Sequence, residues 1–322
     1  MIKSETLSAI LEERITGLPL SPEPVRLYDP FRYIMEVGGK RIRPLLLLVT
    51  CDMLEGDINE AFDTAIAVEI FHNFTLLHDD IMDNASVRRS RPTVNVKWDV
   101  NTAILSGDTM LIYAYKLLSN SPYVAELLPI FNDMSTKVCE GQQYDMDFES
   151  LNIVSRSQYI NMIDLKTAVL IAGSMKMGAV VAGASEHLQE QVYRFGTELG
   201  IAFQLQDDML DSFGDQKRLG KKVGGDIIEG KKTFLVVRYD EKASAEESKE
   251  LHDTLKKKFE NNEDKITAVK ALFEKHNIKE DCQKEIDLYF EDAMTILNTM
   301  QIGDNRKEVL RNIAKGLIKR DK

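Results

Sequence analysis

Helix-breaking residues run out early in this chain. All eight prolines lie at or before Pro129, and no glycine occurs between Lys231 and Ile302. A segment lacking both has few ways to end a helix or make a tight hairpin, so the second half is expected to be helical. Cysteine is also scarce. Cys51, Cys139 and Cys282 stand far apart and in no metal-ligand spacing. That excludes a disulfide scaffold or a zinc module and reads as the reduced thiols of a cytoplasmic protein. Basic charge is in deficit, and the net charge of −11 argues against a nucleic-acid partner. Long apolar runs are missing too. The greasiest stretch, Ala168 to Ala184, is broken by Lys176, closely follows Lys166 and is too short to span a bilayer, so no transmembrane segment is expected. Met1-Ile2-Lys3-Ser4-Glu5 lacks the apolar core of a signal peptide. No Gly-x-x-x-x-Gly-Lys-Ser/Thr occurs, which removes a P-loop. There is no series of short alternating β-branched segments, which removes a sandwich or barrel.

What remains is apolar residue content of 43%, arranged with a period near 3.6, as in Phe62, Ile66, Glu69-Ile70, Asn73-Phe74 and Leu77. The expected fold is all-α: a single domain over 1–322, built as one large bundle of roughly ten or more helices around a central cavity. Residues 1–20 read as a first amphipathic helix, ended by the rigid turn Pro19-Leu20-Ser21-Pro22-Glu23-Pro24. Further helices are expected over Pro30–Val37, Leu45–Leu54, Ala103–Leu118, Val124–Asp147, Arg156–Gly173, Leu188–Asp211 and Thr233–Tyr239. Asn84 to Pro92 is a loop, because proline disfavours helix in the residue before it. The charge-rich tail from Ala243 reads as a solvated amphipathic hairpin of helices.

Two acidic triples stand out. Asp79-Asp80-Ile81-Met82-Asp83 ends an apolar helical run, and Asp207-Asp208-Met209-Leu210-Asp211 does the same after Leu199 to Leu205. The i, i+4 spacing puts Asp79 over Asp83 on one helix face. One such triple is an ordinary charged surface. Two, each placed directly after an apolar helix, suggest helices facing each other across a bundle with divalent cations between them, since the carboxylates would otherwise repel. Oxygen-rich sites select Mg2+ or Mn2+, and Mg2+ shares its shell with waters and phosphates. A phosphorylated substrate follows. The basic loops agree. Gly38-Gly39-Lys40-Arg41-Ile42-Arg43-Pro44 combines close backbone access with guanidinium forks, a fit to phosphate oxygens. Arg88-Arg89-Ser90-Arg91 follows the first acidic triple, and Lys221-Lys222 with Lys231-Lys232 follows the second.

Four ordered motifs between Val37 and Thr233, namely Gly38 to Pro44, Asp79 to Asp83 with Arg88-Arg89, Phe203 to Asp211, and Asp226-Ile227-Ile228-Glu229-Gly230-Lys231, resemble those of the trans-isoprenyl diphosphate synthase family. The resemblance implies a prenyltransferase: an allylic diphosphate (dimethylallyl, geranyl or farnesyl) ionises with help from Mg2+, three ions being bound with substrate, and isopentenyl diphosphate attacks head to tail. It makes Asp79, Asp83 and Asp207 the metal ligands, with Asp80, Asp208 and Asp211 around them. It assigns Lys40, Arg43, His72 and Arg89 to isopentenyl diphosphate, and Arg88, Lys166, Thr167, Gln204, Lys221 and Lys231 to the allylic diphosphate. Lys166, set between apolar stretches, is independently expected to need an anionic partner. A homodimer is implied as well. The sequence departs from the family pattern at Ser90, usually glycine, at Lys222, often proline, and at Phe234-Leu235, commonly Leu-Pro.

Product length should follow from the helix below Asp79. Phe74 lies about 7–8 Å down and Phe71 about 12 Å down, and either ring could form a floor, with the small Thr75 beside Phe74. An aromatic five residues before the first aspartate resembles a short-chain enzyme, so the expected product has fifteen to twenty carbons, geranylgeranyl diphosphate preferred over farnesyl. The alternatives are a longer-chain polyprenyl synthase, a class I terpene cyclase or a non-catalytic synthase subunit. A cyclase would not pair the first motif with a second Asp-Asp-x-x-Asp or need Lys40 and Arg43, and a non-catalytic subunit would lose acids from one cluster.

Overall fold

The structure is a computed structural model, and it describes residues 2–214 and 223–318. Its described elements are helical apart from one two-residue-per-strand hairpin. Cα proximity groups the chain into two compact units.

The first unit comprises Met1–Asn132, Gly173–Val192 and Gln301–Leu310. It is built on α4 (Ile58–Met82), preceded by α1 (Ser4–Thr16), α2 (Val25–Glu36) and α3 (Ile42–Met53). Asp57 starts α4 by accepting a hydrogen bond from the Asn59 N–H at 2.8 Å, satisfying one of the donors a helix start leaves over. Ala61, Phe62, Ala65, Ile66, Val68, Ile70 and Phe71 then bury on every side of it. A helix apolar all round belongs in a core rather than on a surface, and α2, α3 and α6 (Val100–Ser119) pack against it. Asp99 caps α6 through the Thr102 N–H at 2.8 Å. Between α4 and α6 lie β1 (Val87–Arg88), β2 (Arg91–Pro92) and the short α5 (Val94–Lys97).

The second unit comprises Asp133–Ala172, Tyr193–Met300 and Arg311–Lys322. It holds most of α7 (Val124–Ser150) and of α10 (Glu186–Phe213), with α8 (Arg156–Ile163) and the start of α9 (Val169–Val181). Arg156–Gly173 was expected as one α-helix; it is interrupted by a π-helical turn at Asp164–Ala168. Such bulges are frequent at functional sites, and this one carries Lys166 and Thr167. After α11 (Gly225–Glu229) and α12 (Phe234–Lys242) come α13 (Ala245–Lys256), α14 (Asn262–Lys275), α15 (Ile278–Thr299) and α16 (Asp304–Ile318). The tail is therefore four helices and not a hairpin. Leu251, Val269, Phe273, Ile278, Ile286 and Leu297 are buried, so the apolar stripes seen in the sequence face partners rather than solvent. No described helix is long and apolar enough to cross a membrane.

Candidate active site

In the first unit, α4 ends as the sequence predicts. The Asp83 N–H closes the last turn on the Asp79 carbonyl at 2.8 Å, stacking the two residues. Asp79 is half-buried and Asp83 exposed. Asp80 is different. It is buried, and its Oδ1 accepts from Arg88 Nε at 2.8 Å. Burial raises its pKa while the Arg88 charge works the other way. One carboxylate of the triple is thus spent inside the protein, and the two a turn apart keep the accessible side. Arg88 retains its terminal nitrogens for another acceptor.

The cationic loop sits on the same helix. Gly38 (φ 79°) and Gly39 (φ 150°) take backbone shapes that side chains resist. A Cβ on Gly39 would lie 2.7 Å from Arg89 Nη1, so glycine here lets the Arg89 guanidinium lie against the backbone. Arg41, not singled out from the sequence, is buried. Its Nη1 donates to Glu69 Oε1 at 2.7 Å, its Nε reaches Glu12 at 3.2 Å, and it also donates to the Met35 carbonyl. This anchors the loop to α4. Glu69 was legible as a lone acid in an apolar helical run, which needs a buried partner.

Arg43 then meets His72, Nη1 to Nε2 at 3.2 Å. A guanidinium only donates, so this Nε2 carries the lone pair and the ring is neutral with its proton on Nδ1. Burial, then the charge of Arg43, holds the His72 pKa well below its ordinary value. Burial likewise lowers Arg43, to about 10. Its Nε is buried with no acceptor among the described residues, an orphaned charged donor of the kind a phosphate oxygen would satisfy. Arg89 and Ser90, at φ 50° and 62°, form the two-residue loop of the β1–β2 hairpin, in which Val87 pairs with Pro92 and Arg88 with Arg91. Two positive φ values mark a type I′ turn, the physical reason glycine suits position 90.

In the second unit the aspartates of α10 divide the same way. Asp207 is half-buried, while Asp208 and Asp211 are buried. Asp208 accepts from the Tyr159 hydroxyl, from Gln204 Nε2 at 2.9 Å and from the Phe234 N–H at 3.3 Å. Burial nevertheless pushes its pKa up to about 7. Asp211 accepts from the Asp226 N–H at 2.9 Å. Asp226, quoted in a motif but given no role from the sequence, has its pKa raised by burial and then by the Asp211 and Asp208 carboxylates, with Lys231 opposing. Its only sequence signal was an acid set among glycines in a basic loop. Lys231 reaches Glu229 at 3.2 Å.

Lys166 has an anionic partner within the protein itself: its Nζ pairs with Asp145. A Cβ on Gly141 would lie 2.3 Å from the Lys166 backbone nitrogen, so α7 approaches the π turn closely only through that glycine. Thr167 Oγ1 donates to Gln204 Oε1 at 3.0 Å. Lys221 and Lys222 lie outside the described residues.

Within each unit, no three carboxylate or imidazole groups among the described residues form a ready metal cage. That fits Mg2+, which takes one or two carboxylates and fills its shell with waters and substrate phosphates. Asp207, half-buried on α10, offers the hard oxygen donor such an ion takes.

Below Asp79 the first unit stacks aromatic rings. Phe74 lies 4.7 Å from the His78 ring and 5.6 Å from Phe71, and Phe71 lies 5.3 Å from Phe131. Phe71 is buried, while Phe74 and Thr75 are half-buried.

The sequence profile of the polyprenyl synthetase family matches residues 24–272. The geranylgeranyl diphosphate synthase of Methanosarcina mazei is 40% identical over 244 residues, 74% of each chain. That of Sulfolobus acidocaldarius is 35% identical over 310 residues, 94% of this chain and 93% of its own. A crystal structure of a geranylgeranyl pyrophosphate synthase superposes with a TM-score of 0.95 at 42% identity, covering 100% of both chains.

Proposed function

The chain belongs to the polyprenyl synthetase family, and from that premise we propose that it is a short-chain trans-prenyltransferase making geranylgeranyl diphosphate. The observation that carries the reading is the pairing of an acidic helix end with an orphaned cationic donor on one helix system: Asp79 and Asp83 at the end of α4, Arg43 Nε beside His72. Lys40, Arg43, His72 and Arg89 hold the diphosphate of isopentenyl diphosphate. Arg88, Lys166, Thr167, Gln204, Lys231 and Lys221 hold the allylic diphosphate. Arg88 uses Nε on Asp80 and Lys166 one N–H on Asp145, so each keeps further donors. Asp79, Asp83 and Asp207 would hold Mg2+, which when bound neutralises the diphosphate as it leaves. The allylic C–O bond breaks with its electron pair on the diphosphate, the isopentenyl double bond attacks the cation, and a proton is lost. Phe74 and its apolar neighbours keep water from the cation. The two compact units act as one catalytic domain.

Phe74 is the floor of the chain-length well and Phe71, closed in by Phe131, backs it. The exposed face of α6, with Val100, Ile104, Leu105 and Ile112 each between 42 and 68% exposed, supports a homodimer, since a row of large apolar side chains favours a partner over water. The three cysteines, none in a disulfide, support a cytoplasmic enzyme.

Radiolabelled isopentenyl diphosphate with each allylic primer is expected to give a C20 product that requires Mg2+. Absence of product from every primer would overturn the reading. In the same assay Phe74→Ala is expected to move the main product beyond C20, and an unchanged distribution would remove Phe74 as the floor.

A further inference from the structure

Tyr159 has no place in the scheme above, yet it is buried and its hydroxyl is aimed at Asp208 Oδ2. We propose that Tyr159 is a positioning residue for the allylic diphosphate, acting through a buried relay that runs Tyr159–Asp208–Gln204–Thr167. The inference rests on the reading that Gln204 meets that diphosphate; the single Thr167 O–H is spent on Gln204 Oε1, so Thr167 serves the site through that amide.

Gln204 carries the relay through the way its amide points. The two ends of a glutamine side chain have nearly the same shape, so its partners decide its orientation. Asp208 Oδ1 accepts from Gln204 Nε2 at 2.9 Å, and Thr167 Oγ1 donates to Gln204 Oε1 at 3.0 Å. This places the amino end of Gln204 on Asp208 with one N–H unspent on any described residue. That N–H is the donor an anionic ligand needs. The reversed amide would turn its oxygen toward the anion. Asp208 is itself fixed by the Tyr159 hydroxyl and by the N–H of Phe234 at 3.3 Å. Phe234 lies three residues after Lys231, so the same carboxylate ties the Lys231 segment to α10. Tyr159 comes from a different helix, α8, and rests its ring on Phe234 with centroids 6.2 Å apart. Removing only its hydroxyl leaves the ring contact in place and leaves Asp208 Oδ2 on the longer Phe234 N–H bond alone, which loosens the carboxylate.

The test is binding of geranyl S-thiolodiphosphate, an unreactive allylic probe, by calorimetry with Mg2+, alongside KM for both substrates. Tyr159→Phe is expected to weaken the probe and raise the allylic KM about tenfold, with the isopentenyl diphosphate KM within twofold. Combined with Thr167→Val, the loss should fall well short of the product of the single losses, because both act through Gln204. Probe binding within twofold of wild type, both KM values rising together, or a multiplicative cycle would each overturn the relay. Should Tyr159→Phe not fold, Thr167→Val alone must weaken the probe and Thr167→Ser must restore it; a Thr167→Val protein that binds like wild type overturns the relay. Lys231→Ala separates the two levels. Weak probe binding there with normal binding in Tyr159→Phe sinks the relay alone, whereas normal binding in both sinks the allylic-site reading as well.

Discussion

Asp79→Asn is expected to lower kcat/KM by about 10³-fold, roughly 4 kcal/mol of transition-state stabilisation. Asparagine keeps the shape and hydrogen-bonding reach of the side chain but loses the charge. The charge is what a hard divalent ion requires of its ligand, and the leaving diphosphate is the group that ion must neutralise. The change is close to isosteric and leaves the backbone of the turn intact. Asp79 is half-buried at the end of α4, and the bond that closes its turn runs through the backbone carbonyl rather than the carboxylate. Steady-state kinetics across a Mg2+ titration should therefore show a large fall in kcat and a higher Mg2+ requirement, with the melting temperature nearly unchanged. A loss below tenfold, or one matched by a large drop in Tm, would remove Asp79 from the metal site.

The largest stability effect is expected at Arg41. Its side chain is 5% exposed and that of Glu69 3%. Arg41→Met would strand Glu69 as a buried carboxylate whose remaining side-chain donor is Asn73, at 2.9 Å. Breaking one partner of a buried pair costs about 3–5 kcal/mol, on the order of 10 °C in Tm for a chain of this size. Arg41 also starts α3 from a left-handed conformation at φ 45° and sits two residues before Arg43, so isopentenyl diphosphate binding should weaken with it. Arg41→Met with Glu69→Leu should recover most of the lost stability, since no charge is then left buried. Thermal unfolding of the two variants checks this. A single substitution costing under 1 kcal/mol would show that the pair does not anchor the loop.

These two residues mark where sequence reading worked and where it stopped. Asp79 and Asp83 were legible because their relation is local: four residues on one helix fix their common face. α6 was legible for the same reason, its expected span of Ala103–Leu118 lying inside the observed Val100–Ser119. Arg41, by contrast, stood between Lys40 and Arg43 in a motif that reads as three equivalent cations. Only the fold distinguishes the one turned inward to Glu69 from those beside it. Asp80 and Asp208 were grouped with their neighbouring aspartates, yet each faces an internal partner, Arg88 and Tyr159, and the second lies 49 residues away. For Lys166 the need for an anionic partner can be inferred from its apolar flanks, but Asp145 cannot be named as that partner. In the tail the amphipathic period was right. The number of helices was not, because the turns after Lys256, Lys275 and Thr299 contain no proline and only the last a glycine, Gly303.

The central claim is that Asp79 and Asp83 from one motif and Asp207 from the other act on one bound diphosphate. Diffraction from crystals grown with Mn2+ and geranyl S-thiolodiphosphate, read at the manganese edge, tests it directly. The account predicts anomalous peaks within coordination distance of the Asp79, Asp83 and Asp207 carboxylates, all touching the same diphosphate, with Asp80 still on Arg88 and Asp208 still on Tyr159. Manganese confined to one motif, or held by Asp80 or Asp208 in place of Asp79 and Asp207, would contradict it.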